Sequence, residues 1–463
     1  MPQHPAFEAF SQQFRGALVA PGDAAYDEAR ALYNGMIDKR PALIARCANV
    51  ADVILAVNYG RDSGLTIAIR GGGHNGPGLG SVDDGLMIDL SGLKGVRVDP
   101  KARTVRVEPG CTQGDVEHAT HPFGLAVPAG IVGSTGIAGL TLGGGTGYLS
   151  RAYGLTIDNL LEADVVLADG SFVTASEKEN ADLFWALRGG GGNFGVVTSF
   201  LFRAHPVANV YAGPIFWDIK DAKKVMQTYR DLLPNAPEKL GIFVGLKTVP
   251  PTDPFPREHW GKKAVAIIGA YDGSVADGEK AMKPFRDALP APLFDWMSEM
   301  PFKAIQGLFD PFFPKGLQWY WKGDYVKELP DAAIDAHIAQ IKQAPSELCL
   351  MHLYPIDGAV RRVGAGDTAW STRDASWSMV IAAIDSDPKK APDIKKWGRA
   401  YWEAVHPFNM DGAYVNFMMD DEADGRVQQT YGPNYKRLTE IKRKYDPQNL
   451  FRVNQNIPPA RAA

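Results

Sequence analysis

The sequence predicts an α+β fold with two domains, and three observations lead to this prediction. Short β-rich runs alternate with helical runs from Ala42 onward. Glycine makes up 49 of the 463 residues, above the usual ~7%, and much of the excess lies in the first 200 residues. After Pro206 the glycine clusters become rarer, while tryptophans and proline-broken loops become more frequent. We therefore place a domain boundary near residue 206.

The first elements are a helix and four short strands. The helix is predicted at the start of the chain because Phe7, Phe10 and Phe14 share one face and Gly16 follows. The strands are predicted from β-branched runs at 65–70, 85–90, 95–100 and 104–110.

A hairpin and a helix complete the first domain. Residues 162–176 predict the hairpin because two β-branched runs flank a turn-forming Ala-Asp-Gly. A helix is expected over 181–188, with Asn180 as its cap, and a strand is expected over 195–203.

The second half of the chain predicts another layer of strands and helices. Its strand-like runs are 264–273, 348–358 and 376–385. Helices are expected over 331–343 and over 435–447, where Asp446-Pro447 ends the second one.

Composition excludes several classes of function. The net charge of −4 favours neither nucleic acid nor an anionic membrane as a partner. The three cysteines, Cys47, Cys111 and Cys349, form no CxxC pair, so we expect no metal site, no disulfide framework and a reducing, cytoplasmic location. No signal peptide is expected at the start. The uncharged stretch 121–150 is long enough to span a bilayer, but its nine glycines and two prolines argue against a membrane helix.

The first glycine-rich loop runs from Arg70 to Gly78, directly after a predicted strand. It contains GxGxxG, the dinucleotide fingerprint, but Pro77 and another β-rich segment follow instead of the helix that this motif requires. The remaining interpretation is a turn whose backbone N–H groups bind an anion, with His74 at its tip. An ordinary loop histidine among turn glycines explains the pattern equally well.

Two further glycine-rich loops follow, at 130–147 and 189–195. So many positions without side chains allow a flat or phosphorylated ligand to lie against the main chain. The loop at 189–195 follows a helix and precedes a strand, which is the reverse of the Rossmann order, and the chain has no GxxxxGK[ST] motif. The three loops together predict one extended, phosphate-bearing cofactor.

Four segments, 70–75, 139–159, 182–200 and 431–459, resemble the berberine-bridge-enzyme-like branch of the FAD-linked oxidases of the vanillyl-alcohol-oxidase (PCMH) type. The resemblance covers most of the chain and is weak in its middle third. It implies a two-domain PCMH-type fold in which residues 1–206 and the C-terminal segment 406–463 form the FAD-binding domain. An α+β substrate domain, residues 207–405, is then inserted between them.

The resemblance also implies a cofactor site in which His74 is bonded covalently to the flavin. Many relatives add a second link from a cysteine, and the matching position here is Val132, so a single link is expected, as in the 6-hydroxynicotine-oxidase-like members. Thr135 occupies a position that controls the access of dioxygen in relatives, although it also fits a purely structural role. The residues expected to bind the cofactor are Arg70, Gly71, Gly72, Gly73, His74, Asn75, Gly78, Gly130, Gly133, Ser134, Thr135, Gly136, Gly139, Gly143, Gly145, Gly147, Tyr148, Gly195, Val196, Val197, Tyr414, Asn416 and Asn454.

The catalytic base of the family is not found at its usual position in this sequence. The position of its usual tyrosine holds Phe417, which cannot exchange a proton, and another acid or base position falls near Met379. The period of two in a strand puts His352 and Tyr354 on one face, so these two residues and Tyr414 are the candidates. Core packing explains His352 and Tyr354 equally well. On the neighbouring strand, Trp377, Met379 and Ile381 share a face that is a second candidate for the cavity wall. Trp319 and Trp321 suit either core packing or an aromatic pocket wall.

These features predict an FAD-dependent oxidase that transfers a hydride from a hydroxyl- or amine-bearing small molecule to covalent FAD, with dioxygen reduced to hydrogen peroxide. Three alternatives remain open at this point. They are a tailoring enzyme for oxidative cyclisation or rearrangement, a flavin- or ligand-binding protein without turnover, and a nicotinamide dehydrogenase. Substrate identity and oligomeric state are not predicted.

Overall fold

The computed structural model describes residues 5–422 and 425–461. Within them, the part before Asn209 forms two sheets and a short strand pair. Its strands are β1 Ala17–Val19, β2 Leu43–Arg46, β3 Ile67–Arg70, β4 Leu86–Asp89, β5 Val96–Asp99, β6 Thr104–Val107, β7 Leu125–Ala126, β8 Leu160–Val166, β9 Phe172–Ser176, β10 Val196–Arg203 and β11 His205–Pro206. Its helices are α1 Pro5–Gln13, α2 Tyr26–Arg30, α3 Val50–Asp62, α4 Gln113–Thr120, α5 Ile137–Gly143, α6 Ser150–Tyr153 and α7 Ala181–Leu187.

The two sheets differ in direction. The first has the strand order β1-β2-β4-β3, and β4 runs parallel to both β2 and β3. The second has the order β5-β6-β10-β8-β9 and is antiparallel throughout. The first glycine-rich loop leaves the carboxyl end of β3, and the third enters β10, so the two sheets fix the ends of both loops.

A larger antiparallel sheet follows, with the order β15-β12-β14-β13-β18-β19-β17, and β16 also pairs with β12. Its strands are β12 Asn209–Asp218, β13 Leu240–Thr248, β14 Lys263–Tyr271, β15 Phe294–Asp295, β16 Ser298–Pro301, β17 Gln318–Val326, β18 Leu350–Pro355 and β19 Trp377–Asp385. The later helices are α8 Ala222–Leu232, α9 Val275–Ala288, α10 Phe302–Gln306, α11 Asp331–Lys342, α12 Ala391–Val405, α13 Arg426–Tyr431 and α14 Tyr435–Tyr445.

The two faces of this larger sheet have different partners. Alternate residues such as Val244 and Met351 pack in one core with residues of α8, α11 and α12. The intervening residues, such as Phe243 and Tyr354, form a second core that includes Tyr148, directly after the second glycine-rich loop. The period of two along each strand therefore turns one face towards the helices and the other towards the glycine-rich loops.

The C-terminal helix α14 packs onto the first part of the chain. Leu438 and Ile441 share a core with Phe184 of α7 and with strand residues of the antiparallel five-stranded sheet. The fully buried Lys442 ammonium contacts Asp446 at 2.6 Å and donates to the Asn193 carbonyl at 2.6 Å. The end of the chain thereby holds the third glycine-rich loop in place.

Most of the predicted elements are present within a few residues, and two details differ. Asn180 is the residue at the start of α7, but its side chain donates to the Thr174 carbonyl instead of capping the helix, so the predicted cap is wrong. The stretch 121–150 contains the helix α5, which the sequence does not predict because glycine has a low helix propensity. None of the helices in the described residues has the length and apolarity needed to cross a bilayer.

Candidate active site

A cavity of about 360 Å³ lies between the glycine-rich loops and the inner face of the larger sheet. Eighteen of the residues predicted to bind the cofactor or to act in catalysis line it. They are Arg70, Gly71, Gly72, Gly73, His74, Asn75, Gly130, Thr135, Gly136, Gly139, Gly195, Val196, Val197, His352, Tyr354, Tyr414, Asn416 and Asn454.

Seven of the predicted cofactor residues lie outside the lining, namely Gly78, Gly133, Ser134, Gly143, Gly145, Gly147 and Tyr148. Their glycines make room for other parts of the protein. A Cβ at Gly78 would lie 2.6 Å from the Ile37 side chain, and one at Gly133 would lie 2.5 Å from the Asp310 carboxylate. Packing within the protein explains why Gly78 and Gly133 lack side chains, and cofactor contact at these seven positions stays a prediction.

His74 is held on two sides. Its ring stacks on Tyr33, with centroids 3.8 Å apart and planes inclined by 16°, and its Nε2 lies 3.1 Å from the Ser134 hydroxyl. Burial lowers the pKa of His74 to about 4, so the imidazole is neutral at pH 7. A neutral ring whose Nε2 is engaged presents Nδ1 as its free nitrogen.

The first glycine-rich loop has free backbone donors, as the predicted anion-binding turn requires. Within the described residues, none of the backbone N–H groups of residues 72–75 donates to another protein group. Gly73 has a φ of 71°, which a side chain would strain. The Arg70 guanidinium is neutralised by a buried ion pair with Asp89. Backbone amides, and not this arginine, are therefore the free donors here.

The second loop crosses the first at their glycines. A Cβ on Gly72 would lie 2.5 Å from the Gly136 Cα. Asp310, which belongs to the segment before β17, accepts the Gly133 N–H at 2.7 Å, and Gln113 donates to the Val132 carbonyl at 2.7 Å. These contacts fix the backbone that carries Ser134.

Several polar atoms in the cavity wall have no protein partner. Within the described residues, they belong to Thr146, Trp319, Trp321, His352, Tyr431 and Asn454. An unpaired buried polar atom is costly, so such a group of atoms fits a wall that a polar ligand covers. Together with the free amides of the first loop, these atoms fit a cofactor that carries phosphates and a polar ring.

The other end of the cavity is aromatic. Phe309, Phe313, Trp319, Trp321 and Phe417 line it together with Tyr354. No aspartate or glutamate is among the cavity-lining residues in the part of the chain that the structure describes. This composition suits a flat, ring-shaped ligand.

His352 and Tyr354 form a buried pair on β18. The His352 Nδ1 lies 2.8 Å from the Tyr354 hydroxyl, whereas its Nε2 has no partner within the described residues. Burial lowers the pKa of His352 to about 3, with a smaller contribution from Lys247, so its ring is neutral. Simple packing does not account for this histidine, because one of its nitrogens is left unsatisfied.

Tyr414 lines the cavity but its hydroxyl oxygen is occupied. It accepts the Gly145 N–H at 2.9 Å and the Asn416 amide at 2.8 Å. Burial raises the pKa of Tyr414 to about 12. This hydroxyl fixes the second loop and keeps its proton at neutral pH.

The face of β19 that carries Trp377, Met379 and Ile381 points away from the cavity. Trp377, Met379 and Ile381 pack in the core that lies beneath the helices, while Val380 and Ala382 line the cavity. The register explains the difference, because His352 pairs with Val380. The cavity position beside His352 is thus apolar.

Sequence reasoning missed several residues of this site. Tyr33, which stacks on His74, lies in a segment without any motif, and Phe309 and Asp310 belong to an irregular segment of the weakly matching middle third. The period of two indicates the cavity-facing residues of β18, but it does not reveal which face of β19 is turned inward. Among the described residues, no cluster of His, Cys, Asp and Glu could hold a metal ion.

Comparison with known proteins agrees with this geometry. Residues 41–176 match the FAD-binding domain family, and residues 413–458 match the family described as berberine and berberine like. An FAD-linked oxidoreductase of Dictyostelium discoideum is 31% identical over 97% of this chain and 96% of its own length.

Two solved structures share the fold. The 6-hydroxy-D-nicotine oxidase of Arthrobacter nicotinovorans is 26% identical, with a TM-score of 0.86 over 97% of this chain and 99% of its own. The glucooligosaccharide oxidase of Acremonium strictum, which is described with a 6-S-cysteinyl, 8α-N1-histidyl FAD, is 23% identical, with a TM-score of 0.87 over 99% of this chain and 100% of its own. The chain therefore belongs to the FAD-linked oxidoreductases of the vanillyl-alcohol-oxidase (PCMH) type, in their berberine-bridge-enzyme-like branch.

Proposed function

We propose that this protein is an oxidase that moves a hydride from a C–H bond of a hydroxyl- or amine-bearing small molecule to FAD held by a single covalent bond to His74. Dioxygen is the electron acceptor and hydrogen peroxide the second product. The observation that carries the proposal is the neutral His74 ring, held between Tyr33 and Ser134 at the wall of a cavity lined by glycines. We also assign residues 1–206 and 406–463 to the cofactor domain and residues 207–405 to the substrate domain.

The bond to the flavin is assigned to the Nδ1 atom of His74. We assign the tautomer in which its Nε2–H donates to the Ser134 oxygen 3.1 Å away, because Nδ1 then keeps the available lone pair. The glucooligosaccharide oxidase relative has an N1-histidyl link as well as a cysteinyl link. Val132 stands where many relatives have the cysteine of a second link, and a valine cannot form this link, so a single bond is expected.

Other residues of the loops bind the rest of the cofactor. When bound, FAD supplies the hydride acceptor and the site at which dioxygen is reduced. The free backbone N–H groups of residues 72–75 bind its phosphates, as expected for a turn of consecutive amides. Tyr431 and Asn454 offer polar atoms without a partner among the described residues. Thr135 lines the cavity with a short side chain, and we assign to it the entry of dioxygen.

The proton of the substrate is taken by the pair of His352 and Tyr354. The Nε2 of His352 accepts the hydroxyl or amine proton, while Nδ1–H donates to the Tyr354 oxygen. In this assignment, His352 and Tyr354 take the place of the family's catalytic tyrosine, whose position holds Phe417. Tyr414 serves as a positioning residue, because its oxygen already accepts two hydrogen bonds.

Anaerobic mixing with a panel of alcohols, sugars, phenols and cyclic amines tests the proposal. Loss of the flavin absorbance with one of these classes, followed by stoichiometric peroxide on admission of air, is the expected result. A protein whose flavin no compound reduces would instead be a flavin-binding protein without turnover. With the reducing compound identified, His352→Gln should slow the reduction about 100-fold or more, whereas Phe123→Gln, at an exposed site, should not.

A further inference from the structure

Lys247 is a buried amine on the cavity side of β13. Phe243, Gly245 and Lys247 alternate with Ile242, Val244 and Leu246, which pack against the helices. Phe243 lies 4.8 Å from the His352 ring and 5.0 Å from the Tyr354 ring, measured between centroids. A Cβ on Gly245 would lie 2.7 Å from the His352 ring. Lys247 is the next residue on this face.

The surroundings of Lys247 contain no compensating charge. The residue is 6% exposed, and its ammonium lies 5.8 Å from the ring centroid of Phe309 and 5.9 Å from that of Phe312. Burial lowers the pKa of Lys247 to about 8, and no neighbouring charge contributes to this shift. A buried cation without a counter-ion is costly, and a titratable group that is perturbed in this way beside a cavity is a candidate for a role in ligand binding.

The cavity beside it also lacks negative charge. Among its described lining residues there is no aspartate or glutamate, and the charge of Arg70 is already cancelled by Asp89. Phe309 lines the cavity and also contacts Lys247, so this one ring separates the ammonium from the aromatic end. The local field at that end is therefore positive and favours an anion over a cation.

We infer that Lys247 determines substrate specificity and that the site takes an aromatic hydroxyl compound bearing a carboxylate, whose negative charge this buried ammonium attracts across the Phe309 ring. The inference rests on the proposed function for the identity of the reaction, and it names the substrate class of the same site. The aromatic residues hold the ring, His352 faces the hydroxyl end, and the carboxylate lies towards Lys247. Benzylic and other arylalkyl amines, which are cations at neutral pH, are disfavoured.

Three para-substituted phenols of similar size and different charge test this inference, namely para-hydroxybenzoate, para-hydroxybenzamide and para-hydroxybenzylamine. Their dissociation constants are measured by titration calorimetry at pH 7 with the holoenzyme as purified. Wild-type protein should bind the acid at least tenfold more tightly than the amide, and the amide more tightly than the amine. In Lys247→Met, which places an apolar chain of similar length in apolar surroundings, the acid should lose this advantage.

Lys263→Met is the matched control. Lys263 lies on the neighbouring strand β14, is partly buried and donates to the Thr248 hydroxyl. The Lys263→Met variant should bind the three probes in the wild-type order of affinity. Lys247→Arg, which retains the positive charge, should keep most of the preference for the acid. Equal affinities for the acid in wild-type and Lys247→Met protein, or a wild-type preference for the amine, would overturn the inference. Calorimetry does not depend on the flavin, so a protein that lacks flavin would refute the proposed function while the probe order still decides the role of Lys247.

Discussion

The crossing of the first two glycine-rich loops makes a sharp prediction for Gly72→Ala. The new Cβ would lie 2.5 Å from the Gly136 Cα, whereas real Cβ atoms essentially never come closer than 3.0 Å. Both partners are backbone, so relief requires the two loops to separate by about half an ångström, and overpacking of this kind costs about 1–3 kcal/mol. The same displacement moves the loop that carries His74 away from Ser134.

Two measurements check this prediction against Gly80→Ala, a control in the same segment whose Cβ would find its nearest atom at 3.7 Å. Urea unfolding followed by tryptophan fluorescence should give a free energy lower by about 2 kcal/mol for Gly72→Ala and within about 0.5 kcal/mol of wild type for Gly80→Ala. The flavin absorbance per protein should fall in the first variant only. If Gly72→Ala matches Gly80→Ala in both measurements, the loop crossing neither stabilises the fold nor positions His74.

Three further variants test other parts of the structure. Arg151→Ala removes the 2.7 Å partner of the Asp357 carboxylate in a buried pair, so urea unfolding should show a loss of about 3–5 kcal/mol. Burial raises the pKa of Glu117 from 4.5 to about 8. The folded protein therefore holds the proton of Glu117 more tightly than the unfolded chain does. The resulting stabilisation is complete below pH 4.5 and is lost as the pH rises to 8. The stability of Glu117→Gln relative to wild type should therefore increase between pH 5 and pH 8, by roughly 1 kcal/mol per pH unit. Tyr354→Phe removes the hydroxyl that lies 2.8 Å from His352, and stopped-flow flavin reduction should slow about tenfold.

Each of these variants has a result that would count against the structure. For Arg151→Ala it is an unchanged unfolding free energy, and for Glu117→Gln it is a stability difference that stays constant with pH. An unaltered reduction rate in Tyr354→Phe would remove the tyrosine from the proposed proton transfer.

Much of the fold follows from the sequence because periodicity and turn chemistry are local. The hairpin over 162–176 is present as β8 and β9, and the helix ending before Pro447 is present as α14. The cap at Asn180 fails because a nearby carbonyl, that of Thr174, competes for the side chain. The helix α5 is missed because tertiary packing, and not helix propensity, supports a segment so rich in glycine.

The site was less predictable, because its parts meet only through the fold. The glycine-rich loops and His74 carry a local signal, and the structure brings these segments to one cavity. Tyr33 and Asp310 reach the same loops from distant segments without any motif of their own. The excess of glycine also has two causes that sequence alone does not separate, since Gly136 faces the cavity while Gly143 makes room for Asn416.

The most direct test of the central claim is acid precipitation of the wild-type protein followed by mass analysis of its peptides. We predict that the yellow chromophore stays with the precipitate and that a single peptide, the one containing His74, carries the mass of the flavin. In His74→Ala the flavin should appear in the supernatant. Free flavin in the supernatant of the wild-type protein, or a flavin-bearing peptide without His74, would contradict the account.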